Sequence, residues 1–414
     1  MPLFLSKDPF DTLINIKGFK YINSSLGKAA GDDLLRFWAR KCQEAQSDKE
    51  AFGRVGADCF VALICMPGEE KIRRDEREIF NPVRDFFINQ GRENQVQISS
   101  GVYVLTPEDY RKIDVDRMLD YARVAEKRES STRKGIYEVY NPALWEKGKR
   151  SADIIGHLPL AIQSGEIQVW YQPQVDVQTR RITGFEALCR WNHVALGWIS
   201  PGEFIPVLEE AGLIFEIDSY VWEKVCQDLQ RWKRQGVHRF VSVNLSRSDI
   251  QENRDIPGHF LQLIQTYGLS ADQLRIEITE TAYAKEPELL IRTTEKLREY
   301  GFQVEMDDFG SGYSSLHMLK EVPVDRIKLD LHFLTAGGDL EKAREIVIHI
   351  IKMIHSVGLS LIAEGVENAD QAEFLRCHGC FEMQGYYYYK PMPVDAINEL
   401  ELAFDGSVSQ GARA

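Results

Sequence analysis

The chain has 414 residues, 44% hydrophobic and 27% charged, an ordinary globular composition long enough for two cores. No apolar run approaches the ~20 residues that span a bilayer. Lys7, Asp8 and Asp11 interrupt the N-terminal stretch where a secretory leader needs an unbroken apolar core. The expectation is a cytoplasmic chain, or the cytoplasmic part of a longer one. The net charge of −13 is uneven. It counts to about +2 over residues 1–150 and about −15 over the rest, so the second part lacks the basic footprint that duplex nucleic acid requires. Such acidity suits a site that concentrates metal cations.

In chain order, DTLINIKGFKYIN reads as strand and turn, and GDDLLRFWARKCQEA has helical period. FGRVGADCFVALICM carries VGAD between two apolar runs, a hairpin signal. KIRRDER (71–77) interleaves both signs and reads as a solvated helix face. VQISSGVYVLT is a further strand, and DRMLDYARVAEKRESSTRKG a helix ending in a polar segment. These elements predict an α/β domain over residues 1–142. NPALWEKGKRSADIIGHLPLAIQS is charged and helical in period, and reads as a connecting helix over 143–164 that enters the next domain, 152–405.

That domain alternates strand-like and helical runs. The strand candidates are IQVWYQPQ (167–174), ITGFEALCRW (182–191), FVSVNLS (240–246), LRIEITET (274–281), FQVEMDD (302–308), DRIKLDL (325–331), LSLIAEGV (359–366) and the start of FEMQGYYYY (381–389). Eight such runs over ~250 residues predict a (β/α)8 barrel. Most begin apolar and end on a group that a buried strand does not want. Glu186, Asn244, Glu277 and Glu280, Asp307 and Asp308, Lys328 and Asp330, Glu364 and Glu367, and Gln384 fall this way. In a parallel barrel these ends gather at the face that carries active sites. Carboxylates so gathered repel one another unless cations neutralise them. Oxygen ligands without His or Cys point to a hard divalent ion, Mg2+ or Mn2+.

VEMDDFGSGYSSL (304–316) concentrates the pattern. Neighbours on a strand face opposite ways, but at a strand end both aspartates can turn inward, one bridging two ions. The Gly310-Ser311-Gly312 turn lets the next loop fold back over the site. A metal pair about 3.5–4 Å apart favours in-line displacement at phosphorus. Seven cysteines, odd in number and scattered, argue against a disulfide framework. The lone Cys377-x-x-Cys380 lacks a second ligand pair for zinc, and Cys380 is expected to pack at a strand start. Tyr386–Tyr389 reads as barrel packing, and His193 as a loop residue near Arg190.

FEALCRW (185–191), VNLS (243–246), EITE (277–280), DDFGSGYSSL (307–316), KLD (328–330), AEGVE (363–367) and QGYYYYKPM (384–392) resemble, in order, the motifs of EAL-domain phosphodiesterases. The resemblance covers about residues 152–400. It implies hydrolysis of cyclic di-GMP to linear pGpG by a hydroxide held between two ions. By the same resemblance, Glu186, Asn244, Glu277 and Asp307 hold one metal. Asp307 and Asp308 serve the second. Lys328 orients the water, Glu364 supports it, and Gln384 lies in the same network. Glu280 and Glu367 support the site, Glu280 by holding the loop with Gly310, Ser311 and Gly312. Arg190 clamps a phosphate, its planar donors suiting two oxygens. Gln172 and Pro173 line the guanine side, and the barrels of two chains pair as a homodimer. Readings without catalysis, as a cyclic di-GMP receptor or a scaffold, stay open beside the enzyme.

Residues 1–140 resemble a GGDEF domain, which implies a central, mostly antiparallel sheet. The signature reads GADCF (56–60), with Ala57 and Cys59 replacing a glycine and an acid. Asn15 and Lys17 stand where the family places metal-binding acids, so no cyclase activity is expected. The inhibitory Arg-x-x-Asp position reads Ser47-Asp48-Lys49-Glu50. Asn23 and Asp32 match the guanine-reading positions, which implies either a GTP sensor or an inert scaffold.

Overall fold

The computed structural model describes residues 10–48, 50–56, 58–64, 74–93, 95–105, 115–129, 137–251, 254–279, 287–310, 319–331 and 340–400. The chain divides into two compact units, residues 1–150 and 151–414.

In the first unit, β1 (Phe10–Ile16) is flanked antiparallel by β3 (Cys59–Ile64) and β4 (Ile98–Val104). β2 (Ala51–Arg54) pairs antiparallel with β3, and β5 (Tyr137–Val139) lies parallel to β4. The sheet order is β2-β3-β1-β4-β5. The expected hairpin forms between β2 and β3. After β1 the chain goes straight into a helix, α1 (Phe19–Leu26), and then α2 (Lys28–Ala45). The α2 stripe buries Leu34, Leu35 and Trp38, and the Trp38 ring stacks on Phe60 at 5.2 Å. α3 (Val115–Glu129) presses onto β4 at Gly101, where a Cβ would meet the Ala122 carbonyl oxygen at 1.9 Å. Only glycine allows that approach.

The second unit begins within α4 (Pro142–Ser164), since the division falls between Arg150 and Ser151. Ile154, Leu158 and Ala161 of this helix are buried with Trp191 and Phe204. The barrel strands are β6 (Ile167–Asp176), β7 (Arg181–His193), β9 (Val241–Leu245), β10 (Leu274–Thr279), β11 (Gln303–Phe309), β12 (Arg326–Asp330), β13 (Ser360–Glu364) and β14 (Glu382–Met383). β8 (Gly197–Ile199) extends the β7 edge and β15 (Met392–Pro393) the β6 edge. The order runs β6-β14-β13-β12-β11-β10-β9-β7, and the β6–β7 pairing closes the ring.

Two expectations need correction. The ring is not wholly parallel, because β6 runs antiparallel to both β7 and β14. Only four residues join β6 to β7, with Arg180 at φ 54, and so short a turn can connect antiparallel neighbours alone. Glu186 does not end its strand either. β7 continues seven residues past it as a ribbon with β6 and β8.

Alternation along the parallel strands turns every second residue into the barrel. Ser242, Glu305 and Arg326 are buried there and form a polar layer with the half-buried Arg275. Glu305 accepts from Arg275 Nη1 at 3.0 Å, Arg326 Nη1 at 3.1 Å and Ser242 Oγ at 2.8 Å. Arg326 also pairs with Glu382. Burial works against ionisation of Glu305, but Arg326 and Arg275 outweigh it and hold the carboxyl below its usual range. Removing one partner leaves buried charge unmatched. Arg326→Met should therefore lower unfolding stability by about 3 kcal/mol or more. Urea unfolding checks this, and an unchanged midpoint would contradict the assigned layer.

Candidate active site

Two residues further along the same strands lies a second polar layer. It contains Asn244, Glu277, Asp307 and Lys328, joined by Glu186 of β7, Glu364 of β13 and Gln384 after β14. Glu277 sits in register with Asn244 on one side and Glu305 on the other, and Thr279 with Asp307. Asp330 faces Glu364 across β12 and β13.

Lys328 is 0% exposed. Its Nζ lies 2.8 Å from Glu277 Oε2, 2.9 Å from Glu364 Oε1, 3.1 Å from Asp307 Oδ1 and 3.5 Å from Glu186 Oε2. Burial alone would strip its proton. The surrounding acids, Asp307 and Glu186 first, reverse this and push its pKa well above the usual value. Burial pushes Glu277 and Glu364 well above the ordinary carboxylate range, only partly offset by Lys328. Both Glu277 oxygens and Glu364 Oε1 are buried and accept no hydrogen bond. Their close contacts are the ion pairs with Lys328. These oxygens have lone pairs for a hard cation, so the donor set fits Mg2+ or Mn2+.

The paired aspartates are arranged by a local irregularity. The β11–β12 register shifts between Met306 and Phe309, and Asp308 takes φ 57, the left-handed region uncommon outside glycine. Its N–H donates to Asp307 Oδ1 at 2.9 Å. Gly310 follows at φ 101, which glycine alone adopts readily. Asp308 is accessible as a residue, yet partial loss of hydration, then Asp307 and Asp330, push its pKa up to about 6.

A relay of amides ties the two layers together. Arg326 Nη1 donates to Gln174 Oε1 at 3.3 Å, Gln174 Nε2 to Gln384 Oε1 at 3.1 Å, and Gln384 Nε2 to Glu186 Oε2. Gln384 Nε2 also reaches Gln172 Oε1 at 3.2 Å, and Gln172 Nε2 donates to the Tyr389 carbonyl at 3.0 Å. Gln172 and Pro173 pair with Glu186 and Phe185, so they border the cluster. Arg190 is half-buried on the same ribbon, its Nη1 donating to the Cys189 carbonyl at 2.9 Å. Glu367 is exposed, and its N–H donates to Gln371 Oε1, apart from the Lys328 contacts. Glu280, Ser311 and Gly312 lie outside the described residues.

The sequence reading missed Arg275, Glu305, Arg326 and Gln174. Their signal was an offset of two residues from several candidates. It also misplaced His193, which ends β7 and is 6% exposed. Its ring lies 4.2 Å from that of His157, and His157 Nε2 is 3.0 Å from Glu166 Oε1. Among the described residues this trio gathers as metal ligands would. However, His193 Nδ1 accepts from the Ala195 and Leu196 N–H groups at 3.0 and 3.3 Å, which puts the ring proton on Nε2. A ligating histidine instead donates from its second nitrogen. Cys380 is buried, Cys377 exposed, and Tyr387–Tyr389 pack on the barrel core.

In the first unit, Asn23 on α1 is half-buried with Oδ1 unpartnered against Gly31, and Asp32 on α2 is exposed. Asn15, near the end of β1, also has a buried, unpartnered Oδ1.

Fold and site define an α/β barrel with a buried acidic cluster around Lys328. The chain belongs to the EAL domain family, whose model matches residues 156–391. A second model, diguanylate cyclase, GGDEF domain, matches residues 12–130. An uncharacterized signaling protein of Caulobacter vibrioides is 32% identical over 95% of this chain and 48% of its own length. The cyclic di-GMP phosphodiesterase NbdA of Pseudomonas aeruginosa is 28% identical over 94% of this chain and 50% of its own. The solved PaMucR phosphodiesterase in complex with c-di-GMP is 31% identical, with TM-score 0.56, over 59% of this chain and 99% of that one. The chain spans about half the length of the curated relatives it matches.

The raised Asp308 pKa has a definite sign. An unfolded aspartate ionises near ~4 and the folded one at about 6, so this group favours the fold when protonated. Its penalty on the metal-free protein grows as pH rises from ~4 to about 6 and is complete above that. In EDTA, Asp308→Asn should be more stable than wild type at pH 7, and the difference should vanish toward pH 4. Parallel stability curves across that range would refute the assignment.

Proposed function

We propose that the barrel is a divalent-metal phosphodiesterase that hydrolyses cyclic di-GMP to linear pGpG. The observation that carries this reading is the charge imbalance around Lys328, four carboxylates against one ammonium with buried oxygens that accept no hydrogen bond. The phosphodiesterase relatives support it. Glu186, Asn244, Glu277 and Asp307 would hold one Mg2+ or Mn2+, and Asp307 with Asp308 a second. Such ions stabilise charge at phosphorus and make water a nucleophile near neutral pH. Lys328 would orient the attacking water, with Glu364 supporting it. Gln384 fixes the Glu186 carboxylate, and Arg190 holds a phosphate oxygen of the substrate.

The first unit, on the same reading, does not cyclise GTP, because Asn15 and Lys17 cannot hold metal as two acids would. Asn23 and Asp32 would bind the guanine of GTP as a regulatory ligand. Pairing of barrels as a homodimer belongs to the same proposal.

Incubation of the protein with cyclic di-GMP, with and without Mg2+ or Mn2+, should give metal-dependent pGpG by chromatography. Tight binding without product would replace the enzyme with a receptor. Glu186→Gln should slow hydrolysis by about 100-fold or more. Its circular dichroism should stay unchanged, and near wild-type turnover would overturn the ligand set. GTP should raise the hydrolysis rate at saturating Mg2+, and Asn23→Ala should abolish that response. Equal rates with and without GTP would remove the sensor.

A further inference from the structure

We infer that Trp198, set edge-on against Trp170 beside Arg190, forms a stacking subsite for a purine base of the substrate. This rests on the phosphodiesterase reading above.

β6, β7 and β8 form a three-stranded antiparallel ribbon. Its register pairs Gln172 with Glu186, Trp170 with Leu188, Gln168 with Arg190, and Asn192 with Trp198. Alternation puts all these residues on one face. Glu186 belongs to the cluster around Lys328, so this face runs outward from the reacting centre. Arg190 stands four residues further on, about 13 Å along the strand. A phosphodiester at the cluster and a base out along the ribbon are therefore compatible in reach.

The outer part of the face is aromatic and cationic. The rings of Trp170 and Trp198 lie 5.6 Å apart at 75°. The Arg190 guanidinium carbon lies 5.9 Å from the Trp170 ring centre. Trp170 is half-buried, and its Nε1 donates to Gln168 Oε1 at 3.1 Å. Trp198 remains 54% exposed, although Trp170 holds its orientation. Scattered exposed aromatics need no explanation. This one is fixed by register to the face that carries Glu186 and stiffened by a second tryptophan. A planar purine supplies the missing partner, because base–aromatic stacking uses a π-face and tolerates water at its edges. Arg190 alongside can hold a phosphate or base oxygen in the plane of its donors.

Wild type, Trp198→Ala and Trp198→Phe should be compared in steady-state hydrolysis of cyclic di-GMP at saturating Mg2+. The alanine variant should raise KM about tenfold and leave kcat within about twofold, because stacking is lost and the reacting groups are untouched. The phenylalanine variant should restore KM to within about threefold, since a π-face returns. An active wild type with unchanged KM in Trp198→Ala, or a loss confined to kcat, overturns the subsite and leaves the phosphodiesterase reading standing. A wild type that neither binds nor cleaves cyclic di-GMP overturns that reading and the subsite with it.

Discussion

The barrel centre depends on one buried ammonium. Lys328 has no exposure, and an isolated lysine in that position would be neutral. It keeps its charge because four carboxylates converge on it within 3.5 Å. Those carboxylates tolerate burial partly because it stays charged. One positive charge cannot balance four negative ones, and burial first, with the neighbouring acids adding to it, holds two of the acids high in pKa. On the proposed function, that deficit is what a bound cation would offset. Replacing buried ion pairs by well-packed apolar groups is often neutral or stabilising, so stability alone does not call for these groups.

That deficit is tolerable because the layer beneath it is balanced. Glu305 is matched by Arg275 and Arg326, and Arg326 also meets Glu382. Two residues further along the same strands, the acids of the site stand on this floor. The relay Arg326, Gln174, Gln384, Glu186 joins the layers, so the carboxylate on the antiparallel ribbon is aligned from below. Glu186 has no parallel neighbour on its β6 side to fix it, and the amides supply that restraint.

Much of this was legible in the residues. Apolar runs ending on polar groups mark most of the strands, since a parallel strand buried on both faces is largely apolar before its end. Glu277, Asp307, Lys328 and Glu364 broke that pattern and do meet, with Asn244 in register beside Glu277. The floor was harder to read. Arg275, Glu305 and Arg326 sit within strands, where a polar residue looks like an exposed edge until its partners on other strands are known. The direction of β6 and the position of Glu186 within β7 depend on a turn length counted between elements whose ends sequence places only loosely. The left-handed Asp308 follows from the bulge between Met306 and Phe309, a registry event with no marker in residue type. His193 looked like a loop residue because strand β7 outruns its apolar pattern.

The same overrun separates two tasks on one strand. Up to Glu186, β7 is a wall of the barrel and carries a group of the acidic cluster around Lys328. Beyond it, freed from the ring and paired with β6 and β8, it becomes a surface ribbon carrying Leu188, Arg190 and the contact to Trp198. Groups inside the ring are locked by mutual charge, and a change there disturbs every neighbour of Lys328. Groups on the ribbon rest on local packing, as the Trp170–Trp198 contact does, and can vary without reaching the ammonium. On the proposed function, chemistry and base binding would therefore be separable on one face: changes at Glu186 would act through the energy of the transition state, and changes at Trp198 through the energy of the bound base.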